Sequence, residues 1–89
     1  MAHLVISDVP GMQREMIEGM TAQLTEPLKR SPGFIIHGNG PTDRGWQVVE
    51  FWNSKEDFER WFEANVRPNL PPGINPQMSH YEIENVIQP

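Results

Sequence analysis

Glu50 is the residue most suggestive of chemistry, because it is a carboxylate among apolar neighbours. Side chains alternate along a strand, so in the β-prone run 46–52 it shares a face with Trp46, Val48 and Trp52. Loss of hydration makes such a carboxylate hold a proton more readily, which suits a general base. The alternative is a structural carboxylate that pairs with an arginine or caps a buried group, and the sequence leaves both open.

His37 is the second candidate for proton transfer. Its imidazole titrates near neutral pH and can take a proton from an enol or a phenol. It shares a predicted strand face with Ile35 and Asn39. A hydrogen-bonded histidine near the sheet edge is the structural alternative. If His37 and Glu50 occupy the same sheet face, they can reach one bound molecule, whereas a one-residue slip would separate them.

The other polar candidates surround this pair. Asn39 or Tyr81 can hold the oxyanion that proton removal creates. His80 and Tyr81 lie on opposite faces of the last predicted strand, so only one of them can line a cavity. His3 is expected to be structural or solvated. His3, His37 and His80 have no ligand-like spacing and the chain has no cysteine, so no metal site is expected.

The three tryptophans serve either packing or ligand binding. Trp46 and Trp52 form the aromatic wall of a ligand pocket or the core of a dimer, and packing is favoured for Trp52. Trp61 falls on one helical stripe with Phe58 and Phe62 and is predicted to be core.

The scaffold that must position these residues is predicted to have the order β-α-β-β-α-β. Runs of β-prone residues predict strands at residues 2–9, 34–39 and 46–52, and alternation predicts a fourth strand at residues 79–87. The first helix follows the apolar period from Met12 to Leu24 and ends at Pro27. The second begins after the N-cap Ser54 and ends at Pro68. The order predicts an α+β, ferredoxin-like domain at residues 1–89, a four-stranded antiparallel sheet with two helices on one face.

Three further expectations follow from this layout. The side chains predicted to be buried are Leu4, Ile6, Met16, Met20, Leu24, Phe58 and Phe62. The third strand is apolar on both faces, so we expect a homodimer in which two sheets pair face to face as a closed barrel. A ligand pocket is expected between the helices and the sheet, with the proline-rich segment 68–76 as part of its wall or lid.

The amino-acid composition limits the classes of binding partner that we expect. A formal net charge of -5 with seven scattered Lys and Arg residues argues against nucleic acid. The sequence has neither an apolar run long enough to span a membrane nor a basic leader followed by an apolar core. We therefore expect a cytoplasmic protein with a small-molecule ligand and no membrane or nucleic-acid partner.

Spaced motifs along nearly the whole chain add a family resemblance. They are Gly33-Phe34, Gly40-Pro41-Thr42, Gly45-Trp46, Glu50-Phe51-Trp52-Asn53-Ser54, Phe58, Phe62, Pro68 and the run from Tyr81 to Asn85-Val86-Ile87. With these motifs the chain resembles the dimeric α+β barrel superfamily. It is most similar to small bacterial proteins related to the antibiotic-biosynthesis monooxygenases.

The resemblance implies a cofactor-independent monooxygenase or cyclase that acts on a flat, mostly apolar molecule of the aromatic polyketide type. His37 or Glu50 would remove a proton, and the carbanion would react with oxygen or close a ring. Haem-degrading members carry a helical tryptophan followed by an iron-ligating histidine; Trp61 matches the tryptophan, but no histidine lies between Trp61 and Pro76. The alternative is a non-catalytic dimer of the same fold that binds a small molecule or serves as an interaction module.

Overall fold

Four strands and two helices follow one another in the computed structural model, which describes all 89 residues. The strands are β1 (Ala2–Pro10), β2 (Phe34–Pro41), β3 (Gly45–Trp52) and β4 (Gln77–Ile83), and the helices are α1 (Arg14–Lys29) and α2 (Lys55–Trp61). A π-helical turn (Phe62–Val66) and a 3₁₀ turn (Arg67–Asn69) extend α2. The strands form one antiparallel sheet in the order β2-β3-β1-β4, which confirms the predicted ferredoxin-like arrangement.

The end of α1 differs from the prediction. The helix passes through Pro27 and ends at Lys29. The amide N–H groups of Arg30 and Ser31 still bond to the carbonyls of Pro27 and Leu28, and the Leu28 side chain is buried. Backbone pairing and burial beyond the proline therefore keep the last turn helical.

The second helical segment and the last strand also end elsewhere. Pro68 lies inside the 3₁₀ turn, at the start of a helical turn, where a missing N–H costs little. Strand β4 begins at Gln77 and ends at Ile83, short of the predicted residue 87. Ile83 already pairs with Ala2, the first residue of β1, so later residues find no strand to join.

The core lies between the helices and the sheet face that they cover, which we call the inner face. Trp52 is fully buried and makes edge contacts with Phe34 and Phe58. Phe58, Trp61 and Phe62 are buried, as predicted. The Ser54 side chain accepts the Asp57 N–H at 3.1 Å and caps α2 as predicted.

Five residues predicted to be buried are only partly so: Leu4, Ile6, Met16, Met20 and Leu24. In β1 the buried positions are the alternate ones, so Leu4 and Ile6 point away from the helices. On α1 the side that faces the sheet borders an open cavity, which Met20 and Leu24 line.

The opposite sheet face, which we call the outer face, is uncovered and has an apolar centre. Cross-strand partners place Leu4 beside Phe51 and Ile6 beside Val49 on it. Ile36 and Tyr81 are 59% and 51% exposed. None of the helices is long and apolar enough to cross a membrane.

Candidate functional site

A cavity of about 420 Å³ opens between α1 and the inner face of the sheet. Most of its wall is apolar; among the side chains that line it are Ile17, Met20, Leu24, Phe34, Val48, Phe62 and Val66. Leu70 and Pro76 of the proline-rich segment also line it, as the sequence predicted. A cavity of this size and character suits a small, mostly apolar molecule.

His37 and Glu50 form the centre of the polar part of the wall. They are direct cross-strand partners, and His37 Nδ1 lies 2.7 Å from Glu50 Oε2. Glu50 is 6% exposed, whereas 28% of the His37 side chain is exposed to the cavity and solvent. The two residues therefore share the inner face, as a paired mechanism requires.

A β-bulge in β2 produces this pairing. The register shifts between Phe34, which pairs with Trp52, and Ile36, which pairs with Phe51. The extra residue moves His37 opposite Glu50; in an unbulged strand Ile36 would occupy that position. Bulges often re-aim a side chain next to a functional site.

Two tryptophans and an asparagine complete the hydrogen-bonded chain. The Trp52 indole N–H donates to Glu50 Oε1 at 3.0 Å, in a buried position. On the other side, Asn39 Nδ2 lies 2.7 Å from His37 Nε2, and the Trp46 indole N–H donates to Asn39 Oδ1 at 2.8 Å. The order of the chain is Trp52, Glu50, His37, Asn39, Trp46.

Counting hydrogens fixes the protonation pattern of this chain. Four hydrogen bonds need four hydrogens, and the two terminal indoles supply two because an indole N–H can only donate. The Asn39 amide supplies the third, to His37 Nε2, and a neutral His37 supplies the fourth, from Nδ1. Glu50 then accepts at both oxygens as a carboxylate. His37 thus keeps an unprotonated Nε2 in a cavity wall, where it can accept a proton.

Three residues predicted to contact a ligand are placed elsewhere. Trp46 and Trp52 are 6% and 0% exposed and do not line the cavity; they contact the site through their indole N–H groups. Tyr81 pairs with Leu4 on the outer face and is not brought to the cavity. Of the proposed oxyanion donors, only Asn39 lines it.

His3 and His80 form a second polar pair, away from the cavity. His3 Nε2 lies 2.8 Å from His80 Nδ1, and the His80 ring packs edge-on against Phe58. Burial lowers the pKa of His3 below its usual value, and the nearby His80 and Lys55 lower it further. A single hydrogen between the two facing nitrogens completes this contact.

Sequence reasoning missed four polar residues of the cavity wall, Ser7, Thr21, Thr25 and Lys29. Ser7 is buried and lines the cavity from β1, and Lys29 lines it from the end of α1. The alternation of β1 places Ser7 in phase with Val5 and Val9, so that pattern could have found it. No group of three or more metal-ligating side chains comes together in the chain.

Comparison with known proteins identifies the fold of the chain. No protein-family model matches the chain, and no curated protein matches it. Among solved structures, SnoaB, a cofactor-independent oxygenase from Streptomyces nogalater, superposes with a TM-score of 0.72 and 14% identity over 97% of this chain and 96% of that chain.

Two further structures are similar. A mutant of MhuD with two manganese protoporphyrin IX groups bound per active site has a TM-score of 0.62 and 18% identity, over 99% of this chain and 98% of that one. The de novo designed protein Foldit4 has a TM-score of 0.71 and 16% identity, over 94% of this chain and all of that one. The chain therefore has a ferredoxin-like α+β fold, which it shares with these structures.

Proposed function

We propose that the protein is a small cofactor-independent enzyme, a monooxygenase or a cyclase, that acts on a flat, mostly apolar molecule of the aromatic polyketide type. One observation carries the proposal: the His37 ring, with its two nitrogens hydrogen-bonded to Glu50 and Asn39, lines an otherwise largely apolar cavity. A neutral imidazole beside a buried carboxylate is suited to general base catalysis.

The first step is proton removal from a phenol or an enol. The substrate hydroxyl replaces the Asn39 amide at His37 Nε2 and passes its proton to that nitrogen, and the O–H electron pair stays on the substrate. The Glu50 carboxylate stabilises the imidazolium through Nδ1. The Asn39 N–H, turned to the new oxyanion, stabilises the developing charge, as a preorganised donor does.

The anion then reacts through carbon. In a monooxygenase, the carbanion combines with dioxygen and takes back a proton to give a hydroperoxide, which loses water to leave a ketone. In a cyclase, the carbanion adds to a carbonyl of the same molecule, the new alkoxide takes the proton from His37, and a ring closes. Both routes begin with the same proton transfer, so both require His37 Nε2 to accept that proton.

The second candidate is a non-catalytic dimer that binds a small molecule. The observation that favours it is that the side chains of the hydrogen-bonded chain from Trp52 to Trp46 are already paired with one another, with no buried side-chain nitrogen or oxygen left without a partner. A paired network of this kind also makes a binding pocket rigid.

Turnover separates the two candidates. Oxygen consumption and product formation would be followed with hydroxyanthrone-like and polyketone substrates for the wild type, His37→Ala, Glu50→Gln and the control Gln23→Ala, an exposed residue of α1 that does not line the cavity. We expect the two site variants to lose about 10²-fold or more in rate, the usual size of a general-base contribution, and the control to match the wild type. Saturable binding without turnover in the wild type would instead favour the binding dimer.

The outer face is proposed to pair with the outer face of a second copy. Its central side chains come from adjacent strands and are apolar, and a two-fold dimer places the same patch on both sides of an interface. Val86 and Ile87, which follow β4 in the sequence, are also exposed apolar side chains, at 45% and 94%. Sedimentation should give a dimer at micromolar concentration, and Phe51→Lys should shift it to monomer. A wild-type monomer would contradict the barrel.

A further inference from the structure

We propose that Trp46 is a positioning residue that makes the site selective for an oxyanion by fixing which end of the Asn39 amide faces the ligand. This inference rests on the proposed function, because it concerns the same cavity. It assigns to Trp46 a role in recognition, although its ring does not line the cavity.

The Asn39 side chain has two chemically different ends. An amide has an acceptor oxygen and a donor nitrogen, and it can bind with either end forward. The Trp46 indole N–H can only donate, and it lies 2.8 Å from Asn39 Oδ1. It therefore holds this oxygen on the side of the amide that faces away from His37. The Nδ2 donor must then face His37 Nε2 and any ligand oxygen that enters there.

Trp46 is itself held rigidly. It is buried with Val9 and Met12, and the Arg14 guanidinium lies 5.2 Å from the centre of its ring. Gly45, the preceding residue, lets β3 approach β1 so closely that a Cβ there would collide with the carbonyl oxygen of Val9. The indole N–H is thus a fixed reference for an Asn39 side chain that is otherwise exposed.

This arrangement predicts what the cavity prefers. A ligand with an acidic hydroxyl can donate to His37 Nε2 and accept from Asn39 Nδ2 at once. A ligand of the same shape without the hydroxyl leaves His37 and Asn39 bonded to each other and gains only apolar contact. The substrate class is therefore a flat apolar molecule with an acidic O–H at one edge.

The test compares the binding of two probes, a naphthol and the methylnaphthalene of the same shape, by calorimetry. The wild type should prefer the naphthol, and Trp46→Phe should lose about tenfold of that preference, equal to about 1.4 kcal/mol, while its affinity for methylnaphthalene stays unchanged. Asn39→Leu should lose the preference too. In the Asn39→Leu background, Trp46→Phe should change nothing further, because Trp46 acts only through Asn39.

If Trp46→Phe fails to fold, Asn39→Leu still provides a test, because residue 39 is exposed and its replacement should not prevent folding. In that case the preference for the naphthol must disappear in Asn39→Leu. The proposal is overturned if Trp46→Phe binds both probes as the wild type does, or weakens both equally. A Trp46→Phe protein that keeps the naphthol preference while the wild type turns over substrate would overturn the positioning role and leave the proposed function intact. Equal binding of both probes by the wild type would overturn the oxyanion selectivity.

Discussion

Exchanging the charged side chain at residue 50 and the neutral side chain at residue 39 should restore the stability of the hydrogen-bonded chain but not its chemistry. The four hydrogen bonds of the chain already contain one hydrogen each, and Glu50→Gln adds a fifth hydrogen. At one of the four contacts, two donors must therefore face each other. Glu50 is 6% exposed, and leaving a buried donor unpaired costs about 1–3 kcal/mol. We expect Glu50→Gln to lower the free energy of unfolding by an amount in that range.

Asn39→Asp should reverse much of this loss when it is combined with Glu50→Gln. An aspartate supplies no hydrogen, so the double variant again has four hydrogens for four bonds. The introduced glutamine accepts from Trp52 and donates to His37 Nδ1, and His37 then donates from Nε2 to the new carboxylate, which still accepts from Trp46. Both replacements preserve side-chain shape, so packing is unchanged, and the coupling energy should reach about 1 kcal/mol, within the range for directly bonded neighbours.

The wild type, the two single variants and the double variant form a double-mutant cycle. Their free energies of unfolding would be measured by urea unfolding followed by circular dichroism, at one fixed protomer concentration and at a pH above the usual titration range of histidine. The matched control is Glu50→Gln with Asn75→Asp, which adds the same charge at an exposed residue outside the cavity wall. Additive costs, within about 0.5 kcal/mol, would refute the hydrogen count. Turnover should stay low in the rescued protein, because His37 Nε2 now carries a hydrogen and cannot take one.

Three further perturbations test the scaffold. Because burial lowers the pKa of His3, this residue takes up a proton more readily in the unfolded chain than in the folded one. The free energy of unfolding should therefore fall as the pH drops below the usual pKa of histidine. His3→Gln should reduce this pH dependence when unfolding curves are measured over a pH series. Ser54→Ala removes the cap on the Asp57 N–H and should cost about 1 kcal/mol in urea unfolding, and an unchanged midpoint would exclude the cap as a stabilising contact. Gly45→Ala should cost about 1–3 kcal/mol by pushing β3 from β1. Gly40→Ala, whose Cβ would meet nothing within 4 Å, should stay within about 0.5 kcal/mol of the wild type.

Much of the fold was predictable from the sequence, because its local signals agree with one another. Runs of β-prone residues located the first three strands and alternation the fourth, and the Ser54 cap and the Phe58–Phe62 stripe located α2 and its buried face. The errors at Pro27 and residue 87 have a different source. Both ends depend on what the rest of the molecule offers: burial of Leu28 in one case, and the length of β1 in the other.

The site was predictable only in part, because its geometry depends on the bulge in β2. The residues His37, Asn39 and Glu50 stand out by type, but no local signal shows that an extra residue at 35 brings His37, rather than Ile36, opposite Glu50. The role of the tryptophans was also hidden. Periodicity reports which face an indole occupies, and it does not report where its one polar atom points.

The location of the network explains why so small a protein can hold a buried carboxylate. All of its side chains come from the adjacent strands β2 and β3, and Trp52 is fully buried in the core. Burying Glu50 is costly unless both oxygens are bonded, and the Trp52 indole and the His37 ring bond one oxygen each. Because an indole can only donate, the tryptophans at the two ends of the chain allow one arrangement of hydrogens, in which His37 Nε2 is unprotonated. The packing that stabilises the fold therefore also sets the direction in which a proton can move.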